Sequence, residues 1–515
     1  MICFKLKIIQ RLACDTARKS QVTSSDNLEP ETNSTNAGRW SHQPPAITRM
    51  LSHPETLLDA WMGTGKTYMT LSVLKSDLAE GGAALILCPA TVIGVWHGEI
   101  QKHTSGQFEV IKFKPSWSSK RKAQHAKAEL EHAKKYRKPI ILVVNYETAI
   151  RDQMLKLLQT TRWQTVVADE SHRLKGHNTA TSKMAARFQD HSLRRIALTG
   201  TPMPNNEGDI FGQARFLNNR YFGRYWTSFV EDYGIKNPVI QGKIDKWKDT
   251  DRMREIIGQF RHHISKDVLD LPDKQEIVVS VELSKEGMKA YREMQEDALT
   301  TIQQAFDNGQ SFEQAIATGE TGLVKFLRLM QLAQGYVGTE DGEIVQTCGE
   351  KAKHLMELME QTDEPICVYG WFKQDIALIR QCAEKLGRRF GEISGSHKDL
   401  DNGRFPEGID VMGVQARSGA VGIDLTRSRI GIFLNPGMLS PGEYDQILAR
   451  QYRPGQTRNV VYYHLRSAST VDVSMAYARQ KKAKNVGQTL NGGEESLMAM
   501  VIRDVFGMAG MDCPF

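Results

Sequence analysis

The chain has 515 residues, of which 40% are hydrophobic and 25% are charged, and Lys and Arg outnumber Asp and Glu by 67 to 60. This composition excludes a chain that is disordered throughout, and the 42 glycines and 17 prolines show no collagen-like period. The length predicts several domains, and the net charge of +7 permits a nucleic-acid partner without requiring one.

Residue patterns exclude two further classes of protein. No run of about 18 uncharged apolar residues occurs, so no membrane-spanning helix is expected. The seven cysteines are scattered, odd in number and without a CxxC pair. We therefore expect neither a disulfide framework nor a zinc site, and we expect a reducing, intracellular environment.

Residues 1–37 are predicted to form a disordered tail. The segment begins as MICFKLKIIQRLAC, basic and apolar, and continues with the polar run SQVTSSDNLEPETNSTN. Lys5, Lys7 and Arg11 interrupt the apolar part, which therefore lacks the core of a secretory signal. An amphipathic targeting helix is the alternative.

From residue 38 the chain alternates between short apolar runs and helical patterns, and we assign residues 38–265 to a first lobe. The predicted strands are ETLLDA (55–60), ALILC (84–88), IILVVNY (140–146), TVVADE (165–170) and RRIALTG (194–200). Alternation of this kind is typical of a parallel sheet covered on both faces, in which ligands bind at the carboxyl ends of the strands.

The pattern becomes mostly helical at about residue 203, where a helical protrusion is expected to begin. We assign residues 266–350 to a linker strand, within LDLPDKQEIVVSVELS (269–284), and to the rest of the protrusion. Alternation then returns and predicts a second α/β lobe over 351–485. Its predicted strands lie in PICVYGW, RFGEISG, GIDVMGVQ, RIGIFLN and NVVYYHL. Residues 486–515 are predicted to form a C-terminal helix, in EESLMAMVIRDVFG, or a tail.

The segment AWMGTGKT (60–67) has the pattern of a phosphate loop, with Ala in place of the first Gly. A strand precedes it and a helical pattern, YMTLSVLKSDLA, follows. Backbone N–H groups from Gly63 to Gly65 and the helix N-terminus would surround phosphates. Lys66 would reach the β- and γ-phosphates of ATP, and the Thr67 hydroxyl would bind Mg²⁺. The alternative is a glycine-rich turn with a solvated lysine.

The acidic pair Asp169-Glu170 ends a predicted buried strand in the sequence DESH. Such a pair downstream of a phosphate loop suits ATP hydrolysis: Asp169 would hold Mg²⁺, and Glu170 would orient and deprotonate the attacking water. The alternative is a pair of exposed carboxylates at the start of a helix near Ser171. His172 either couples the two lobes or is an ordinary polar residue at the edge of the core.

Two later segments carry further polar groups. LTGTP (198–202) ends a predicted strand, where hydroxyls can link the phosphate state to movement, or it is simply a turn. In QILARQYRPGQ (446–456), Gln446, Arg450 and Arg453 share one face if the segment is helical. Arginine forks at these positions would bind a triphosphate presented by the other lobe, and the alternative is a solvated helix face.

The chain resembles superfamily-two helicases in the order of its motifs. These are Gln43, AWMGTGKT, DESH, LTGTP, SGAVGIDLT (418–426) and QxxxRxxRxGQ (446–456). The last two segments, together with SKDVLDLPDKQEIVVSVELS (265–284), are most similar to Swi/Snf-type DNA translocases. The resemblance covers residues 38–485 or so. The sequence departs from the family pattern at Ala60-Trp61, where an acidic pair is usual, and at Leu434, where the family has Trp. The resemblance therefore implies a minimal, divergent member of the family, of bacterial or phage type.

The resemblance implies a fold and a set of roles. The fold is two RecA-like parallel-sheet lobes in tandem with helical protrusions, and ATP and Mg²⁺ lie in the cleft between them. Gln43 reads adenine, and Arg450 and Arg453 act as arginine fingers. The other nucleotide-binding residues that it implies are Gly63, Thr64, Gly65, Lys66, Thr67, Asp169, Gly422, Asp424 and Gln446. Ser418 and Gly419 belong with Gly422 and Asp424 to the second-lobe motif that joins nucleotide to nucleic acid.

DNA, duplex rather than single-stranded, is the partner that the resemblance implies, with a cytoplasmic location and association with the nucleoid. Pro89-Ala90 and Asn145-Tyr146-Glu147 match segments that line the nucleic-acid track. A basic segment, residues 112–138, holds ten Lys or Arg. It either contacts duplex phosphates or forms a solvated helix on the flank of the first lobe, the interpretation that we favour.

Three functions remain open. The first is a DNA-stimulated translocase ATPase that remodels protein–DNA complexes or branched DNA. The second is a strand-separating DNA or RNA helicase, which needs a wedge that the sequence does not reveal. The third is a DNA-binding scaffold that does not hydrolyse ATP, which the presence of Lys66, Asp169, Glu170, Arg450 and Arg453 disfavours.

Overall fold

The computed structural model describes residues 40–114, 116–204, 206–237, 244–307, 320–338, 343–416, 423–488, 501 and 505. The expected N-terminal tail and most of the expected C-terminal helix lie outside these residues and stay predictions. Residues 41–515 group into one compact unit that contains both large sheets.

The strands are short and most lie in two sheets. In chain order they are β1 (Glu55–Ala60), β2 (Gly82–Cys88), β3 (Glu109–Ile111), β4 (Pro139–Asn145), β5 (Trp163–Asp169), β6 (Ser192–Thr199), β7 (Gly234–Lys236), β8 (Ile244–Trp247), β9 (Arg261–Ile264), β10 (Lys274–Val281), β11 (Tyr336–Gly338), β12 (Ile344–Gln346), β13 (Ile366–Gly370), β14 (Phe390–Ile393), β15 (Val411–Gln415), β16 (Ile430–Phe433) and β17 (Val460–Ser467).

The α-helices mostly connect successive strands. In chain order they are α1 (Gln43–Ser52), α2 (Lys66–Asp77), α3 (Ile93–Thr104), α4 (Ser119–Tyr136), α5 (Tyr146–Ala149), α6 (Asp152–Thr160), α7 (Ala180–Ala186), α8 (Asp209–Leu217), α9 (Trp226–Tyr233), α10 (Thr250–Phe260), α11 (Lys285–Asp307), α12 (Glu320–Gln334), α13 (Glu350–Glu360), α14 (Lys373–Lys385), α15 (Pro441–Leu448) and α16 (Val471–Gln488). Short 3₁₀ helices cover Ala90–Val92, Ser171–Leu174, Arg187–Asp190 and Lys266–Val268.

The first lobe is built on a seven-stranded sheet in the order β3-β4-β2-β5-β6-β1-β9, with every neighbouring pair parallel. Successive residues of its central strands pack on opposite faces: Leu57 and Leu85 join one hydrophobic core, while Leu58 and Ile86 join the other. Both faces are therefore covered, which explains why these strands are continuous apolar runs. The prediction of a parallel α/β lobe here is confirmed.

The second lobe has a six-stranded parallel sheet in the order β10-β17-β16-β13-β15-β14. It too separates two cores, since Ile366 and Val368 pack on one face and Cys367 and Tyr369 on the other. The two-lobe, parallel-sheet fold expected from the alternating pattern is thus confirmed. Cys88, Cys348, Cys367 and Cys382 are free thiols.

The described structure differs from the expected mostly helical stretch after residue 203, which also contains the short strands β7, β8, β11 and β12. The helical stretch expected after residue 203 contains β9, which pairs with β1 at the edge of the first sheet. Its sequence, RHHI, has too few apolar residues to show a strand pattern. The strand assigned to the linker, β10, pairs in parallel with β17 along its whole length and is the edge strand of the second sheet.

The helical protrusion packs on the second lobe. Tyr291 of α11 and Phe326 of α12 share a core with Val471 and Met475 of α16. Lys351 of α13 is buried nearby and donates to Leu434 O at 3.0 Å, and it also forms an ion pair with Asp472 and a hydrogen bond to Gln334. Because its charge is paired and its donors are used, this lysine can remain buried. Among the described helices, none combines the length and apolar character that crossing a membrane requires.

Candidate active site

The loop between β1 and α2 turns at two glycines before the helix begins. Gly63 and Gly65 have φ values of 82° and 86°, in the left-handed region that glycine adopts without strain. Helix α2 begins at Lys66 immediately afterwards, so its N-terminal N–H groups face the loop. The structure therefore confirms the strand–loop–helix context that the motif requires.

Lys66 lies over this loop. Its Nζ donates to Ala60 O at 2.7 Å and is 3.4 Å from Trp61 O. Burial lowers the pKa of Lys66, although the carboxylates of Glu170, Asp169 and Asp59 oppose that shift. The ammonium group is thus held by two backbone carbonyls at the place where phosphate oxygens would otherwise accept its hydrogen bonds.

Gln43 supports the loop from helix α1. Its Nε2 donates to Thr64 O at 3.1 Å, and His42 Nε2 is 2.9 Å from the same oxygen. A Cβ atom built on Gly65 would lie 2.4 Å from Gln43 Nε2, so the amide packs directly on the loop. Gln43 Oε1 is buried and accepts no hydrogen bond from the described part of the chain, which leaves it available to a donor on a ligand.

Asp169 ends β5, and three contacts hold it. Trp96 Nε1 donates to Asp169 Oδ2 at 2.8 Å, the backbone N–H of Glu170 donates to Oδ1 at 2.9 Å, and Tyr146 Oη donates to Asp169 O at 2.7 Å. Burial, and then the charge of Glu170, raise the pKa of Asp169. The sequence did not reveal Trp96 as a partner, because 73 residues separate it from Asp169.

Glu170 follows with a φ of 48°, which is uncommon for a residue with a long side chain. Its Oε2 is 3.4 Å from His172 Nδ1. Burial alone would raise the pKa of Glu170, but His172, Lys66 and Arg450 together hold it below the usual value. Glu170 is therefore ionised at neutral pH and able to accept a proton.

A buried amide joins the DESH segment to LTGTP. Ser171 Oγ donates to Gln213 Oε1 at 2.8 Å, and Gln213 Nε2 donates to Pro202 O. Gln213 lies on α8 and is fully buried. Nothing in the local sequence marks it, since its role depends on where α8 packs.

The expected helix face in residues 446–456 is wrong. Helix α15 ends at Leu448, so Gln446 lies on the helix while Arg450 and Arg453 lie in the turn that follows. Helix α15 ends six residues before Pro454, so the ring of this proline does not set its end. Gln451 turns into the core instead, where its Nε2 donates to Ile430 O at 3.0 Å.

The turn nevertheless brings Arg450 to the first-lobe site. Burial, and then Arg453, lower the pKa of Arg450 to about 10, while the charges of Glu170 and Asp424 act in the opposite direction. Arg450 is in turn one of the groups that lower the pKa values of Lys66 and Glu170. These mutual effects place the guanidinium in the same cluster of charges as the phosphate-loop lysine.

Arg453 lies at the margin of this cluster. Its Nη1 is 3.4 Å from Ile423 O in its own lobe. The next residue, Pro454, touches the phosphate loop: a Cβ atom built on Gly63 would lie 2.6 Å from Pro454 Cδ and 3.9 Å from Arg453 Cβ. The two lobes are therefore in contact at the loop.

Other predicted residues are placed as follows. Thr67 lies in the first turn of α2, beside Lys66. Asp424 Oδ1 accepts hydrogen bonds from Thr426 N at 3.0 Å and from Thr426 Oγ1 at 2.7 Å, which closes a local turn. The charge of Asp424 acts on Arg450. Gln446 is buried. Ser418, Gly419 and Gly422 lie outside the described residues.

The segments expected along a nucleic-acid track differ in exposure. Ala90 and Glu147 are exposed, whereas Pro89 and Tyr146 are buried. Tyr146 therefore holds Asp169 in place through its hydroxyl and does not form part of the surface. Glu147 Oε1 accepts a hydrogen bond from Arg173 Nη2 at 2.7 Å.

Trp61, which stands where the resembling family has an acidic residue, lines a cavity of about 200 Å³. The other lining residues come from the linker and the second lobe, among them Leu269, Leu271, Leu448 and Tyr452. Lys266, Asp267, Lys274 and Asp445 also line the cavity, so Trp61 places an aromatic ring among apolar and charged side chains there.

Comparisons with known proteins identify a family that this chain matches. A family profile described as SNF2-related domain matches residues 42–332. Chromodomain-helicase-DNA-binding protein 1-like of Danio rerio is 24% identical over 458 residues, which are 85% of this chain and 42% of that protein. ATP-dependent DNA helicase DDM1 of Arabidopsis thaliana is 24% identical over 454 residues, 82% of this chain and 58% of that protein.

The chain thus spans about half the length of these curated relatives. Among solved structures, the SWI2/SNF2 ATPase core of Sulfolobus solfataricus in complex with dsDNA is 24% identical, with a TM-score of 0.40. The match covers 90% of this chain and 96% of that one.

Proposed function

Because this chain belongs to the SNF2-related domain family, we propose that it is an ATP-dependent, DNA-stimulated translocase that tracks along duplex DNA and remodels protein–DNA complexes or branched DNA. One observation supports this most: the turn that carries Arg450 and Arg453 meets the phosphate loop, where Pro454 Cδ would lie 2.6 Å from a Cβ atom built on Gly63, and the charge of Arg450 acts on Lys66 and Glu170. A cleft that assembles its charges from two lobes can couple hydrolysis to lobe movement.

The first lobe holds the nucleotide in this proposal. The backbone N–H groups of residues 63–65 and the N-terminus of α2 bind phosphates, and Lys66 exchanges its carbonyl partners for phosphate oxygens. The unpartnered Gln43 Oε1 accepts a hydrogen bond from the amino group of adenine. Gly422, Asp424 and Gln446 complete the site from the second lobe.

Thr67 and Asp169 are the proposed ligands of Mg²⁺. Each carboxylate oxygen of Asp169 accepts one hydrogen bond and keeps a further lone pair, and the Thr67 hydroxyl adds another hard oxygen. Hard oxygen donors that leave room for water and phosphate suit this ion. When bound, Mg²⁺ neutralises charge on the β- and γ-phosphates.

Glu170 is the proposed general base. Its lowered pKa keeps the carboxylate ionised, so it can orient a water molecule and accept its proton. Arg450 and Arg453 are the proposed arginine fingers, which stabilise charge that develops on the γ-phosphate. Closure of the lobes completes this set of residues.

DNA is the proposed partner, with action in the cytoplasm and at the nucleoid. The exposed Ala90 and Glu147 follow the carboxyl ends of β2 and β4, on the side of the first sheet that carries the site. Helix α4 adds exposed basic side chains, including Lys120, Arg121 and Lys127. The basic side chains of α4 suit phosphate contacts rather than base contacts, whereas Ala90 and Glu147 carry no positive charge.

The test is the steady-state ATPase rate without nucleic acid and with single-stranded DNA, duplex DNA or RNA. The proposal expects the largest stimulation by duplex DNA, without separation of its strands. Displacement of a labelled strand would favour a helicase, and DNA binding without turnover would favour a scaffold. The Lys66→Ala variant controls for contaminating ATPases.

A further inference from the structure

A second contact between the lobes lies at the N-terminus of α15. Gly442 is the second residue of this helix, after Pro441, and it is buried. A Cβ atom built on Gly442 would lie 2.8 Å from Thr201 Cγ2, 3.3 Å from Thr201 Cβ and 3.4 Å from Thr201 Oγ1. The helix therefore approaches the LTGTP segment as closely as a glycine allows.

The contact joins the two halves of the site. On the second-lobe side, α15 is short and its last residue, Leu448, comes two residues before Arg450. On the first-lobe side, the carbonyl next to Thr201, Pro202 O, accepts a hydrogen bond from Gln213, which accepts one from Ser171 beside Glu170. A displacement at Gly442 is thus transmitted to the arginine and to the acidic pair.

We propose that Gly442 is a positioning residue, whose missing side chain sets how closely α15 approaches Thr201 and thereby places Arg450 in the site. The inference rests on the proposed function, because Arg450 acts there on the γ-phosphate. The backbone of Gly442 is helical and not left-handed, so glycine is required at this position by space and not by conformation. This separates Gly442 from Gly63, whose positive φ alone would disfavour a side chain.

The test is Gly442→Ala. In the arrangement described, the added methyl group would lie 2.8 Å from Thr201 Cγ2, and we expect DNA-stimulated kcat to fall about tenfold, an overpacking effect of ordinary size. Nucleotide affinity without DNA should change less than twofold, because the nearest atoms to the added methyl group all belong to Thr201 and not to the phosphate loop. The fold should persist, since Ala is a better helix former than Gly.

Rescue distinguishes positioning from damage. Thr201→Ser removes Cγ2 and keeps the hydroxyl, so the double variant Gly442→Ala, Thr201→Ser should recover most of the turnover, while Thr201→Ser alone should stay near wild type. Gly258→Ala is the matched control, because Gly258 lies within helix α10 and a Cβ atom there would meet nothing within 4 Å. That variant should turn over ATP at the wild-type rate.

Lobe closure is measured separately, by energy transfer between one dye on each lobe with duplex DNA and an unhydrolysable ATP analogue. Gly442→Ala should show less closure, and the double variant should restore it. Wild-type turnover in Gly442→Ala, or a slow variant that Thr201→Ser does not rescue, would overturn the inference. A wild-type protein without ATPase activity would instead count against the proposed function.

Discussion

Replacing Arg450 with alanine tests the two-lobe site most directly. Burial lowers the pKa of Arg450 to about 10, yet at pH 7 only about one side chain in a thousand would be neutral. The substitution therefore removes a full positive charge from the cluster that contains Lys66 and Glu170. Among the described residues of the second lobe, Arg453 lies at the margin of the same cluster and acts electrostatically on Arg450.

We expect Arg450→Ala to lower DNA-stimulated kcat by roughly 10³, the low end for the loss of an arginine finger. At 1.36 kcal/mol for each factor of ten, that is about 4 kcal/mol of transition-state stabilisation. ATP affinity should stay within a few-fold of wild type, because the guanidinium acts on charge that builds up during the reaction. Loss of one cation also relieves the repulsion that lowers the pKa of Lys66.

The assay combines steady-state hydrolysis at saturating duplex DNA with titration of a fluorescent ATP analogue. Arg450→Lys is the matched control, since it keeps the charge but loses the planar fork and should give an intermediate rate. Arg453→Ala should resemble Arg450→Ala, and the double variant should be little worse than either single variant, because both side chains act on one transition state. Wild-type turnover by Arg450→Ala would refute the role of the cleft.

Three further substitutions test other parts of the site. Lys66→Ala should abolish hydrolysis in a folded protein, since the ammonium group that would neutralise the β- and γ-phosphates is lost from the loop, and near-normal turnover would move the nucleotide site elsewhere. Glu170→Gln should bind ATP but hydrolyse it very slowly, because an amide cannot accept the proton of water, and lost ATP binding would indicate a structural role. Lys120, Arg121 and Lys122 can be replaced together by alanine. For duplex DNA, the slope of log K against log salt concentration should then become less steep by up to about 2.7, since each lost phosphate contact contributes about 0.9. An unchanged slope would show that α4 is only a solvated helix.

The sequence alone predicted the sheets of both lobes and the positions of their motifs. The strands of the first lobe are apolar runs because both faces of a parallel sheet are buried, and this signal is local to each run. The glycines of the phosphate loop and the acids at the end of β5 are also contiguous in the chain, so their spacing was sufficient. The polar strand β9 was missed, whereas β10 was predicted as a strand but not as a member of the second sheet, because pairing with β1 and β17 places these strands more than their own residues do.

The tertiary structure alone decided which distant side chains complete the site. Trp96 reaches Asp169, and Gln213 joins Ser171 to Pro202, across separations that leave no pattern in the chain. The end of α15 at Leu448 was likewise settled by packing, since Gln451 turns into the core and the arginines follow in a turn. Motif spacing reports local geometry, whereas the approach of Gly442 to Thr201 depends on how two separately folded sheets meet, which only the assembled molecule determines.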